Sequence, residues 1–103
     1  MEILESAEYR KWFASLKDTQ AKLRINARIR QVKSHGALMG DVKPVGFGIY
    51  EMRFHFGPGY RVYLSLEQEA LLLLLMGGDK STQKDDIAKA RVVAKRWRCE
   101  HGN

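Results

Sequence analysis

Between Ile49 and Tyr63, apolar and polar side chains alternate on both sides of a Gly57-Pro58-Gly59 turn. A period of two around a turn predicts a half-buried β-hairpin. One face carries Tyr50, Met52, Phe54 and Phe56, then Tyr60, Val62 and Leu64; the other carries Glu51, Arg53 and His55, then Arg61 and Tyr63. With Phe56 opposite Tyr60, His55 lies opposite Arg61 and Arg53 opposite Tyr63, within cross-strand reach. Upstream the period changes. Tyr9, Trp12, Phe13 and Leu16 recur at i, i+3, i+4 and i+7, one stripe of an amphipathic helix that Ser6 can cap. The segment from Gln20 to Ser34 fits two periods. Leu23, Ile25, Ala27 and Ile29 alternate as in a strand, whereas Ala21, Ile25, Ile29 and Val32 form a helical stripe. Its length and its lack of glycine and proline decide for a helix, capped by Asp18 or Thr19 and ended by His35-Gly36.

Glu2 to Glu5 reads as a short first strand, and the stretch holding Gly40, Pro44, Gly46 and Gly48 reads as a loop. Glu67-Gln68-Glu69 turns the chain into the leucine run Leu71 to Leu75, whose uniform apolarity predicts a strand buried on both faces at the centre of the sheet. Gly77-Gly78-Asp79 breaks it. Thr82 or Ser81 can cap a last helix, with Asp85 and Asp86 in its favourable first turn and Ile87, Ala90, Ala94 and Trp97 as its stripe. The predicted order is β-α-α-β-β-β-α. That is an α+β fold: an N-terminal strand and a helical hairpin packed on a small antiparallel sheet, then a C-terminal helix. A length of 103 residues fits one domain, residues 1–103.

Composition adds a compartment and a class of partner. The apolar run Ala70 to Met76 is far below the roughly 20 residues that span a bilayer. Met1-Glu2-Ile3-Leu4-Glu5 lacks the basic start of a signal peptide, and a single cysteine, Cys99, agrees with a reducing compartment. A cytoplasmic protein is predicted, with no membrane partner. The net charge is +6, which favours polyanions. Its distribution strengthens this: Lys22, Arg24, Arg28, Arg30 and Lys33 lie in a segment without acidic residues, and Lys80 to Asn103 holds seven basic residues against three acidic. Nucleic-acid or ribosome contact is expected there, with Lys43 and Lys84 as further contacts. His35, His55, His101 and Cys99 show no metal-ligand spacing, and Gly77-Gly78-Asp79-Lys80 lacks the glycine spacing of a phosphate loop, so neither a metal nor a cofactor is predicted.

Several segments together resemble the RelE/ParE superfamily of bacterial toxins, and in particular its HigB-like addiction module killer branch. They are Gly40-Asp41-Val42-Lys43-Pro44-Val45-Gly46, Tyr50-Glu51-Met52-Arg53, Gly57-Pro58-Gly59-Tyr60-Arg61-Val62-Tyr63, and the leucine strand running into Gly77-Gly78-Asp79-Lys80-Ser81-Thr82-Gln83 and Asp86-Ile87-Ala88-Lys89-Ala90. The resemblance implies the toxin of a type II toxin–antitoxin pair, neutralised by a small antitoxin encoded beside it, of helix-turn-helix type. RelE-like and HigB-like members cleave mRNA on the translating ribosome, whereas ParE-like members poison DNA gyrase.

Metal-free RNA cleavage needs a base for the 2′-hydroxyl, cations for the charge on the phosphorane and an acid for the leaving 5′-oxygen. Arg61 matches the arginine of the family's Tyr-Arg motif, and Lys80 matches a basic position at the family's cleft. Arg53 shares the face with Arg61 and adds a second planar fork for phosphate. His55 carries an imidazole and can serve as base or acid, with Tyr63 or Glu51 as substitutes. The best-known mRNA-cleaving members carry two lysines on the strand before the Tyr-Arg motif, where this chain has Ile49 and Glu51, and a tyrosine in the last helix, where it has Ile87 or a neighbour.

Overall fold

The computed structural model describes residues 1–68 and 70–102. The elements are β1 (Glu2–Glu5), α1 (Ala7–Ser15), α2 (Thr19–His35), β2 (Val42–Gly46), β3 (Ile49–Arg53), β4 (Tyr60–Glu67), β5 (Leu71–Asp79), a 3-10 turn (Lys80–Thr82) and α3 (Gln83–Glu100). One sheet runs in the order β1-β5-β4-β3-β2. The fold is α+β, as the element order implied. The expected small antiparallel sheet is in fact mixed, because β1 joins β5 in parallel, with Glu2 opposite Leu71 and Leu4 opposite Leu73. The stretch read as a loop contains β2, an edge strand paired antiparallel with β3. Its Pro44 and its irregularity before Gly46 suit an edge, where a missing N–H costs no ladder bond.

Local signals set the helices. The Ser6 hydroxyl accepts from the Tyr9 amide at 2.9 Å and donates to the Leu75 carbonyl at 2.7 Å, so one side chain both caps α1 and pins it to β5. Asp18 caps α2 through the Ala21 amide at 3.1 Å, and Gly36 closes it in the left-handed conformation. At the last helix the expected cap position is occupied, but the capping bond lies one turn earlier. Thr82 stands at the N-cap position of α3 as expected but makes no side-chain cap bond there; Asp79 caps the 3-10 turn that precedes α3, accepting from the Ser81 amide at 2.8 Å. The turn before β5 includes Glu69, which lies outside the described residues.

The sheet is the middle of three layers. Tyr9, Ile25, Ile29 and Val32 from α1 and α2 pack with Met52, Phe54, Val62, Leu64, Leu72 and Leu74 on one face. On the other face, Ala90, Val93 and Ala94 of α3 pack with Ile49, Tyr63, Leu73 and Leu75. Alternate leucines of β5 thus serve opposite cores, and all five from Leu71 to Leu75 are buried. The strand at the centre is β4; β5 lies beside it. Met76 pairs with Tyr63 and Leu74 with Leu64, so Leu75 is an extra residue, a bulge that kinks β5. Beyond it Gly77 and Gly78 bring the backbone up against Trp12 on one face and Asp86 on the other. Among the described residues no helix is long and apolar enough to cross a membrane.

A cross-strand arginine pair as the candidate functional site

The hairpin pairs two residues out of the expected register. Arg53 lies directly opposite Arg61, and Glu51 opposite Tyr63. The cause is the turn: β3 ends at Arg53, the Gly59 amide closes on the Phe56 carbonyl at 3.1 Å, and the Phe54 amide donates to Tyr60 at 3.0 Å. His55 therefore lies beyond the strand and not across from Arg61. A shift of two keeps every side chain on its original face, so Glu51, Arg53, Arg61 and Tyr63 still share one.

That face is anchored by a buried carboxylate. Glu51 is fully buried. Its Oε2 accepts from the Tyr63 hydroxyl at 3.0 Å and from Gln83 Nε2 at 2.7 Å. Its Oε1 lies 3.9 Å from both Arg53 Nε and Arg61 Nε, and among the described residues none of these three atoms has a hydrogen-bond partner. Tyr63 is buried too; that burial and then the Glu51 charge hold its hydroxyl well above the ordinary tyrosine range, so it keeps its proton and donates. Arg61 is 7% exposed, and its Nη1 donates to the Gly59 carbonyl at 2.9 Å. Gly59 separates Arg61 from Lys80: a Cβ there would sit 3.2 Å from Arg61 Nη1 and 3.3 Å from Lys80 Cβ. Lys80 itself opens the 3-10 turn, exposed.

Asp41 closes the other side, and sequence reasoning did not single it out. Its Oδ2 lies 3.3 Å from Arg53 Nε and is also bonded to His55 Nε2, while its backbone carbonyl accepts from the Arg53 amide at 2.9 Å. His55 is exposed, with its Nδ1 outside this bond. The hydrogen bond from His55 and then the Arg53 guanidinium hold the Asp41 carboxyl below the usual aspartate range. A depressed folded-state value contributes stability that is present above the unfolded value near pH 4 and lost as pH falls through the folded one. The melting-temperature difference between wild type and Asp41→Asn is therefore expected to be positive at pH 5 and to shrink steadily towards pH 2.5. A difference constant over that range would remove this pair from the account.

The basic residues expected to contact RNA divide. Arg28 stacks over Phe54 at 4.1 Å and donates to the Arg53 carbonyl at 2.6 Å, so it braces the end of β3. Arg24 lies over the Phe56 ring at 4.6 Å and Lys22 over Phe13 at 5.5 Å. Arg30 and Lys33 are exposed, beside Ile3, Leu4 and Arg10. Lys43 is exposed on β2, in register with Glu51, and Lys84 is exposed on the first turn of α3. Arg53 and Arg61 lie opposite each other, Lys80 lies past Gly59 from Arg61, and Lys43 lies opposite Glu51 on β2.

No protein-family model matches the chain. A curated protein of Haemophilus influenzae, described as an uncharacterized protein, is 43% identical over 94 residues, which cover 91% of this chain and 93% of that one. Among solved structures, Escherichia coli toxin RelE in the free state, as a double arginine-to-alanine variant, superposes with a TM-score of 0.69 at 11% identity, over 92% of this chain and 95% of RelE. A chain of the intact E. coli RelBE toxin–antitoxin complex superposes with a TM-score of 0.55 at 14% identity, over 76% of this chain and 94% of that one. At such identities the likeness is one of fold. The chain belongs to the family of the Haemophilus influenzae protein, and its fold is that of RelE.

Proposed function

We propose that the protein is the toxin of a type II toxin–antitoxin pair, HigB-like, and that it cleaves mRNA on the ribosome in the cytoplasm. The observation that carries this reading is the Arg53–Arg61 pair with Lys80 beside it, on a fold shared with a protein described as a toxin. Cleavage needs no metal. The substrate's 2′-hydroxyl attacks the adjacent phosphorus and gives its proton to a base; the P–O5′ bond breaks and the leaving oxygen takes a proton from an acid. Arg61, Arg53 and Lys80 stabilise the charge that builds on the phosphorane. His55 is the base, acting through Nδ1 while Asp41 holds Nε2, the orientation logic of a carboxylate–histidine pair. Lys43, Lys84 and the exposed cations of α2 contact ribosomal or messenger RNA by charge. The protein partner is an antitoxin, a reading supported by the likeness of this chain to a chain of the RelBE toxin–antitoxin complex; the expected antitoxin is of helix-turn-helix type and encoded beside the gene.

A second reading, a ParE-like gyrase poison, is favoured by one fact. Tyr63 and Glu51 are buried, which leaves His55 as the sole surface member of the three candidate proton carriers. Primer extension on RNA from cells expressing the protein separates the two. New 5′ ends in phase with codons, together with growth arrest, are expected. Arrest without new ends but with gyrase-linked DNA breaks would replace the first reading with the second, and no arrest in the absence of antitoxin would remove both.

A further inference from the structure

We infer that Glu51 is a positioning residue for the Arg53–Arg61 pair: its carboxylate faces both Nε groups from beneath and leaves the outer edge of Arg61 for a phosphate group, while Asp41 holds Arg53. The inference rests on the reading of this face as an RNA-cleaving site.

Two arginines directly opposite on antiparallel strands repel each other. A carboxylate midway beneath them relieves that repulsion, and its buried position makes its field strong. Glu51 is held there from three elements. It sits on β3, and its Oε2 is clamped by Tyr63 of β4 and Gln83 of α3. One oxygen is thus fixed by neutral donors, which leaves the other, Oε1, equidistant from the two Nε atoms at 3.9 Å. At that separation the charges attract without a hydrogen bond; among the described residues Arg61 Nε–H has no partner, whereas the Arg53 guanidinium is paired with Asp41, Nε at 3.3 Å from Oδ2 and Nη2 donating to Oδ1 at 3.3 Å. Arg61 Nη1 is tied to the Gly59 and Tyr60 carbonyls at 2.9 and 3.3 Å. With the inner edge facing Glu51 and Nη1 tied, the Nη2 edge is left to meet an anion. The ligand is accordingly a phosphodiester met by the Arg61 fork, with the Asp41-held Arg53 adding charge beside it; arginine's rigid geometry suits that contact and lysine's does not. Glu51 does not touch this ligand, and its burial removes it from proton transfer.

The test uses the full-length protein on programmed ribosomes and, in parallel, its arginine Nε–H resonances in solution. Glu51→Gln keeps the shape and removes the charge. It is expected to lower kcat for mRNA cleavage by about 100-fold, the scale of an ångström-sized misplacement, with the KM for ribosomes held within about threefold. The Nε–H signals of Arg53 and Arg61 should shift and broaden, while that of Arg98, paired with Glu67 at 2.7 Å, stays unchanged. Tyr63→Phe, which removes only a hydroxyl, should move both readouts in the same direction by less. Wild-type kcat and unmoved resonances in these variants would overturn the inference. Should Glu51→Gln fail to fold, Tyr63→Phe and Gln83→Ala decide it by the same two readouts. If the wild-type protein cleaves no mRNA, the RNA-cleavage reading fails by itself, and the two resonances alone decide whether Glu51 positions the arginines.

Discussion

Arg61→Ala is expected to abolish growth arrest and to cut mRNA cleavage by about 10²–10³-fold, the loss typical of removing one preorganised donor to developing charge. The preorganisation is visible. Arg61 is nearly buried, tied by Nη1 to the Gly59 carbonyl and drawn by Nε towards Glu51, so it has little freedom left to lose when a phosphorane forms. Arg61→Lys keeps a charge but loses the fork, and it should recover little of the activity. The variant also changes folding, since Glu51 would keep only Arg53 as a cation; losing one partner of a buried pair can cost about 3–5 kcal/mol. Here the cost should be smaller, because Tyr63 and Gln83 still bind the carboxylate. Thermal melting measured beside toxicity separates the two effects. A folded Arg61→Ala protein that still arrests growth would exclude catalysis at this face and favour gyrase inhibition.

The largest effect on stability is expected at the glycines that end β5. A Cβ on Gly78 would stand 1.7 Å from Asp86 Oδ2 and 2.9 Å from Thr82 Oγ1; one on Gly77 would stand 2.1 to 2.3 Å from the Trp12 ring. Neither neighbour can yield freely. Asp86 is buried and accepts a hydrogen bond from Thr82, and Trp12 is packed against Tyr9 and Phe13. Overpacking of this kind costs about 1–3 kcal/mol and sometimes more. In a chain of this size each kcal/mol lowers the melting temperature by roughly 4–8 °C. Gly78→Ala and Gly77→Ala should each melt at least about 10 °C below wild type. Because the closest contacts at Gly78 are with Asp86, and Thr82 Oγ1 lies just inside 3.0 Å, adding Asp86→Ala should restore much of the loss. Equal melting of Gly78→Ala with and without Asp86→Ala would show that the close approach is not the cause.

The helices were legible because local chemistry and periodicity agreed. Ser6 and Asp18 cap as their residue types suggest, and Ala21, Ile25, Ile29 and Val32 are the buried stripe of α2. The hairpin's faces were legible for a sturdier reason: a register error of two leaves each residue on its face. Its pairing was not, because the Phe56–Gly59 turn decides which residues meet, and turn geometry is only loosely written in a Gly-Pro-Gly string. The edge strand β2 was hidden by glycine and proline, which read as breakers and yet are tolerated where one side of a strand has no partner. The site followed the same division. The sequence brought Arg53 and Arg61 together on one face. It offered no cue for Gln83, 32 positions from Glu51, or for Asp41 as the group that holds both His55 and Arg53. The burial of Glu51 and Tyr63 follows from the docking of α3, a long-range event that no short window contains.

The parallel seam between β1 and β5 has a kinetic consequence. The Ser6 hydroxyl meets the Leu75 carbonyl 69 positions further along, so β1 has no sheet to join until β5 exists. At roughly 5–20 residues per second of synthesis, β1 waits on the order of several seconds, and the late closure of so long a loop makes this a slow step in folding. Gln83, which clamps Glu51, emerges later still. During synthesis the chain therefore carries an open strand edge and an unfinished arginine pair, and both are completed together at the end. A binding partner already present in the cell would meet the protein before its charged face is assembled.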